Sequence, residues 1–185
     1  FNGGNTWVLN AVRNLYGDGE TGLSDDIVAD SLARVDYLLQ NASDMELTQD
    51  GNRLSVRLIN FSGHKLPTGY PEGRRMWLNV KAFDAADVMV YESGHYDDTT
   101  GELGHDADAK IYEIKPGVST RLAPVLGFES GPSFHFALND TVFKDNRIPP
   151  KGFDFDAAAA RLAVPVAHGA DAPGLYSPAE YAGGY

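Results

Sequence analysis

The 185-residue chain contains no cysteine. That excludes disulfides, thiolate nucleophiles, thiolate zinc sites, iron–sulfur ligation and covalent c-type haem attachment within it. Positive charge is scarce as well: 15 Lys and Arg face 26 Asp and Glu, for a net charge of −11. Such a surface repels phosphate backbones, so no nucleic-acid partner is expected. No apolar run approaches the roughly 20 residues that cross a bilayer as a helix, so no transmembrane segment is expected. Catalytic templates are missing too. There is no Gly-x-Ser-x-Gly elbow, no His-Glu-x-x-His, no phosphate-binding glycine loop and no deaminase signature. Carboxylates are so numerous that some pair arises by chance, and no hydrolase is assigned on that ground. No catalytic residue is singled out, and an enzyme of unrecognised type ranks last among the readings. Residue 1 is Phe, so a signal peptide or a larger region is expected upstream.

What is present is an ordinary globular balance, 43 % hydrophobic and 22 % charged, cut by 20 glycines and 10 prolines into short segments. That punctuation favours strands and turns over a helix bundle. Residues 6–15 read as a helix capped by Thr6, with Trp7, Leu9, Ala11, Val12 and Leu15 as its apolar side and Gly17 as a left-handed stop. Ser24 caps a second helix over residues 25–41: Asp25 and Asp26 suit its N-terminus, and Ile27, Ser31, Leu32, Val35, Leu38 and Leu39 share a face. After Ala42 the periodicity changes. Residues 45–48 and 53–60 flank Asp50-Gly51-Asn52, whose residue types tolerate positive φ in a hairpin turn. Residues 75–83 and 88–93 pair across Asp84-Ala85-Ala86-Asp87, and further strands are expected at 110–114, 119–126, 133–138 and 162–166. The expected fold is therefore mainly β. Two N-terminal helices in residues 1–42 pack on an antiparallel β-sandwich formed by residues 43–185.

The connection between residues 60 and 75 has unusual composition. It carries His64, Lys65, Arg74 and Arg75 among two prolines and three glycines. Proline and glycine set a defined path, and a stiff loop can present an imidazole to a metal and guanidinium groups to carboxylates. The plain alternative is a structural loop, with His64 bonded to a backbone carbonyl and the arginines solvated.

The run Gly63-His64-Lys65-Leu66-Pro67-Thr68-Gly69-Tyr70-Pro71-Glu72-Gly73-Arg74-Arg75-Met76-Trp77 resembles a signature of the cysteine-free region that follows the haem-binding part of bacterial multihaem c-type cytochromes. The likeness extends to Tyr91-Glu92-Ser93-Gly94, to Lys110-Ile111-Tyr112-Glu113, to Lys144-Asp145-Asn146-Arg147-Ile148-Pro149-Pro150-Lys151-Gly152-Phe153, and to the opening Phe1-Asn2-Gly3-Gly4-Asn5. The family's Cys-x-x-Cys-His attachment motifs are absent, and further strands would be expected beyond Tyr185. The resemblance implies a haem-free accessory domain or fragment of an exported multihaem cytochrome, periplasmic or extracellular. It would shield haem c carried by its parent or by a partner cytochrome, and serve electron transfer. In that reading His64 is a candidate distal haem ligand, and Arg74 and Arg75 are candidate partners of haem propionates. His135, expected in a strand as Ser133-Phe134-His135-Phe136, either faces a partner haem or makes an internal hydrogen bond.

The alternative is a secreted β-sandwich module that binds calcium or a carbohydrate without catalysis. For it, the acidic loop offers Asp97, Asp98, Asp106 and Asp108 as calcium ligands of low affinity, because their spacing departs from the EF-hand pattern. His95 and His105 flank that loop without an evident third ligand, and His168 sits in a Gly/Ala/Pro-rich tail.

Overall fold

The structure is a computed structural model that describes residues 6–68, 73–161 and 163, with the backbone of 166–168 and 174–175. Two compact units divide the chain: Phe1–Lys65 with Pro149–Gly152, and Leu66–Ile148 with Phe153–Tyr185.

In the first unit, α1 (Thr6–Leu15), α2 (Asp18–Thr21) and α3 (Asp25–Gln40) precede a hairpin of β1 (Ser43–Asp50) and β2 (Arg53–Asn60). Three helical segments stand here where two were expected. Gly17 explains the difference: its backbone is extended, with φ −75°, so it opens α2 instead of closing α1 in a left-handed stop. The left-handed glycine is Gly22, at the end of α2. Arg13 of α1 bonds Asp18 and Asp25, each at 2.6 Å, so one guanidinium ties α1 to the first residues of α2 and α3. Ser24 accepts from the Ile27 N–H and caps α3. The buried side of α3 is Val28 and Val35, whereas Ile27 and Leu39 of the expected face are exposed.

The β1–β2 register pairs Asp50 with Arg53 around Gly51, whose φ is 57°. Alternation then sorts the hairpin into two faces. One carries Met45, Leu47, Leu54, Val56 and Leu58; the other carries Glu46 bonded to Arg57. The helices and this hairpin lie in one unit.

The second unit is built of antiparallel strands. Its two-stranded ladders pair β3 (Met76–Trp77) with β8 (Ile111–Tyr112), β4 (Val80–Phe83) with β5 (Met89–Ser93), and β6 (Tyr96–Asp97) with β7 (Glu102–Leu103). β9 (Ile114–Val118), β10 (Gly131–Pro132), β11 (Thr141–Asp145), β12 (Val166–His168) and β13 (Gly174–Leu175) form a five-stranded sheet in the order β10-β9-β11-β12-β13. Together these are mostly antiparallel strands in several small sheets, with some helices.

Three expected strands change form for local reasons. Residues 75–83 break into β3 and β4 where Asn79 turns its amide onto Glu92 and the Ser93 carbonyl. Residues 119–126 hold α4 (Ala123–Leu126) instead: Pro124 has no N–H for a ladder, and Gly127 at φ 71° stops the turn. Residues 133–138 hold a 3₁₀ turn, Phe136–Leu138, because the Ser133 hydroxyl accepts from the His135 N–H and Asn139 donates to the Ser133 carbonyl. Such side-chain bonds compete with a strand ladder. The strand expected at residues 162–166 lies largely outside the described residues. A helix that was not expected as a separate element, α5 (Phe155–Ala160), is capped by Asp154.

The buried set of the second unit is strongly polar. Leu66, Val118, Ala123 and Ile148 lie beside Ser93, Glu113, Ser119, Asp145 and Asn146. Buried polar groups cost stability unless they are bonded, and these are bonded in pairs. The Glu113 N–H donates to the Asn146 side chain, whose amide donates to the Ile111 carbonyl, so Asn146 continues the sheet through its side chain. Arg147 forks onto Asp145 through two bonds of 2.9 Å. Ser119 donates twice to Asp140. Gly117 allows β9 and β10 to meet: a Cβ there would collide with the Gly131 carbonyl and stand 2.6 Å from the Phe143 ring.

Candidate functional site

His64 belongs to the first unit and is exposed. The loop that carries it is organised by Asn60, the last residue of β2, which has no exposed surface. The Asn60 amide donates to the His64 carbonyl at 2.7 Å, and its oxygen accepts from the Ser62 N–H at 2.9 Å. The Lys151 N–H in turn donates to the Asn60 carbonyl at 2.7 Å, and its ammonium lies 5.4 Å from the centre of the Phe61 ring. An internal asparagine therefore fixes the loop around His64, in addition to the prolines and glycines read from the sequence. Nothing in the local pattern marks Asn60 as the organiser, since its partners are backbone groups.

Arg74 and Arg75 belong to the second unit, just before β3, and are exposed. Together with Lys115 and Phe134 they line a cavity of about 430 Å³. The carboxylate in that lining is Glu113, which bonds Lys144 at 2.8 Å and Lys115 at 3.2 Å. Burial pushes the Glu113 carboxyl up, but these two ammonium groups outweigh it and hold the group below its usual range. Residues 69–72 of the motif lie outside the described residues.

His135 is not in a strand. It stands at the start of the 3₁₀ turn, exposed, with its ring stacked on Phe128 at 5.7 Å between centres. A second cavity of about 420 Å³ runs past it, lined also by Val118 and Phe134. Its ring thus makes an aromatic contact while the residue stays exposed.

The acidic loop directs its carboxylates to its own backbone. Asp97 accepts from the Thr99 and Thr100 N–H groups, and these bonds hold it below the usual carboxylate range. Asp106 accepts from the Ser93 hydroxyl and from the Gly94 and Asp108 N–H groups, and is lowered for that reason. Asp98 is exposed, and Asp108 accepts from the Tyr91 hydroxyl at 3.4 Å. His95 leans on Glu92 at 3.2 Å. Glu92 also accepts from Asn79, the leading cause of its lowered pKa, and pairs with Lys81. Among the described residues no group of three or more His, Asp or Glu is placed to hold a metal ion. The His168 side chain lies outside the described residues. No described helix is long and apolar enough to cross a membrane.

Compared with known proteins, the chain matches no family model, no curated protein and no solved structure.

Proposed function

We propose that this chain is a haem-free accessory region of an exported multihaem cytochrome, its strand-rich part arranged as a β-sandwich. It lies against haems of its parent or of a partner cytochrome in the periplasm or outside the cell. It lowers their exposure to water and donates His64 as a distal ligand. Burial and axial ligation are the levers by which protein sets haem potential. One observation carries this reading: an exposed imidazole on a loop whose path is set by a fully buried asparagine. Neutral imidazole is a common ligand, and a loop ordered beforehand lowers the entropic cost of presenting it. The cytochrome-like motif around His64 supports the same reading. The calcium-binding alternative gains no support from the acidic loop, because Asp97 and Asp106 already serve backbone amides.

The test uses the chain itself and a haem peptide excised from a c-type cytochrome, with one histidine ligand and an open sixth position. Titration with the chain is expected to convert the high-spin spectrum to low-spin, and His64→Ala is expected to abolish the conversion. Persistence of the conversion in His64→Ala, or its absence in the unaltered chain, would overturn the ligand role.

A further inference from the structure

Two neighbouring guanidinium groups stand without a counterion among the described residues of a chain of net charge −11. Neither Arg74 nor Arg75 has a hydrogen-bond or ion-pair partner among the described residues. Glu113, the carboxylate among the described residues of the lining, is already shared by Lys144 and Lys115. Among the described residues the cavity therefore carries a surplus of cations. Beside them the cavity wall is apolar, made of Pro116, Pro132 and Phe134. Phe134 is 79 % exposed, and its ring edge lies 4.0 Å from where a Cβ would stand at Gly73, the residue before Arg74. An exposed aromatic side chain in the lining of a cationic cavity gives a flat ligand a surface to stack on. A volume of about 430 Å³ suits a small organic molecule.

We propose that this cavity binds a flat organic molecule bearing two carboxylates. Arg74 and Arg75 grip the carboxylates through forked hydrogen bonds, Lys115 adds a further positive charge, and Phe134 stacks on the flat body. The porphyrin form of this ligand rests on the cytochrome-like reading, in which Arg74 and Arg75 pair with propionates; the proposal itself requires no metal and does not involve His64. The propionate edge of a porphyrin is one source of this chemistry and a free aromatic dicarboxylate is another.

Calorimetric titration of the 185-residue chain with naphthalene-2,6-dicarboxylate and with iron-free mesoporphyrin IX tests it. At least one probe is expected to bind at a single site, with its dimethyl ester about tenfold weaker or more. The double variant Arg74→Gln, Arg75→Gln is expected to lose about tenfold or more, with an unchanged circular dichroism spectrum, since both side chains are exposed. Phe134→Ser is expected to weaken the binding of either probe severalfold. Tighter binding of mesoporphyrin assigns the site to a porphyrin edge; tighter binding of the naphthalene probe assigns it to a free dicarboxylate. Failure of both probes to bind, or binding indifferent to the arginine pair or to esterification, would overturn the proposal. Because no iron is present, either result is independent of ligation by His64.

Discussion

Asn60 is completely buried and His64, four residues later, is exposed; a 2.7 Å hydrogen bond from the Asn60 amide to the His64 carbonyl joins them. The interior of the first unit thus sets the path of the loop from which the imidazole projects. Asn60→Ala leaves the His64 carbonyl and the Ser62 N–H without this partner and opens a small cavity. The expected loss is about 2–4 kcal/mol, read from urea unfolding, together with faster amide exchange at Ser62. Unchanged stability with unchanged exchange would show that the backbone holds the loop unaided.

Gly94 meets three constraints at once. Its φ is 73°, its N–H donates to Asp106 at 2.7 Å, and its carbonyl accepts from the Trp77 indole at 3.1 Å. A Cβ there would also strike the Leu78 carbonyl. Gly94→Ala is expected to destabilise by an amount on the order of 3 kcal/mol and to alter Trp77 fluorescence. A substitution costing less than about 0.5 kcal/mol would contradict this packing.

Asp106 makes stability depend on acid. The Ser93 hydroxyl and the Gly94 and Asp108 N–H groups favour its charged form, so its folded pKa lies below that of the unfolded chain. The unfolded state therefore binds more protons as pH falls through the carboxylate range. The stabilisation is present above about pH 4 and is lost below it. Asp106→Asn is expected to lower the urea midpoint at neutral pH and to flatten its decline in acid. A variant with the same acid slope as the parent would remove Asp106 from the account.

Glu113 is the shared counterion of Lys144 and Lys115 and lies mostly buried. Glu113→Ala removes both pairings and is expected to cost about 1–3 kcal/mol. Glu113→Gln keeps a hydrogen-bond acceptor and is expected to cost less. Equal losses in the two variants would assign the role to packing and not to charge.

Much of the local structure follows from residues close together in the chain. Ser24 with Asp25 and Asp26 is enough to start α3, because the cap bonds a backbone N–H three residues on. Asp50-Gly51-Asn52 is enough to turn β1 into β2, because Gly51 supplies the positive φ. Asp84 likewise closes the β4–β5 turn by accepting from the Ala86 and Val88 N–H groups. The exposed loop histidine, the arginine pair and the acidic turn were also legible as residue types.

Tertiary structure decided what those residues do. Asn146 reaches Glu113 and Ile111 across more than thirty residues of chain, and no periodicity announces a side chain that stands in for a strand. Ser119 and Asp140 likewise meet only when β9 and β11 pair. The strand β11 escaped the sequence pattern because its pairing with β9 shifts register between Val142 and Lys144, breaking the two-residue alternation. Phe134 and the arginines share a cavity because the chain folds back there, and Glu113 is already neutralised inside it. Alternation and capping are nearest-neighbour physics and can be read along one dimension. A counterion already taken, as Glu113 is by Lys144 and Lys115, exists only after distant segments have met.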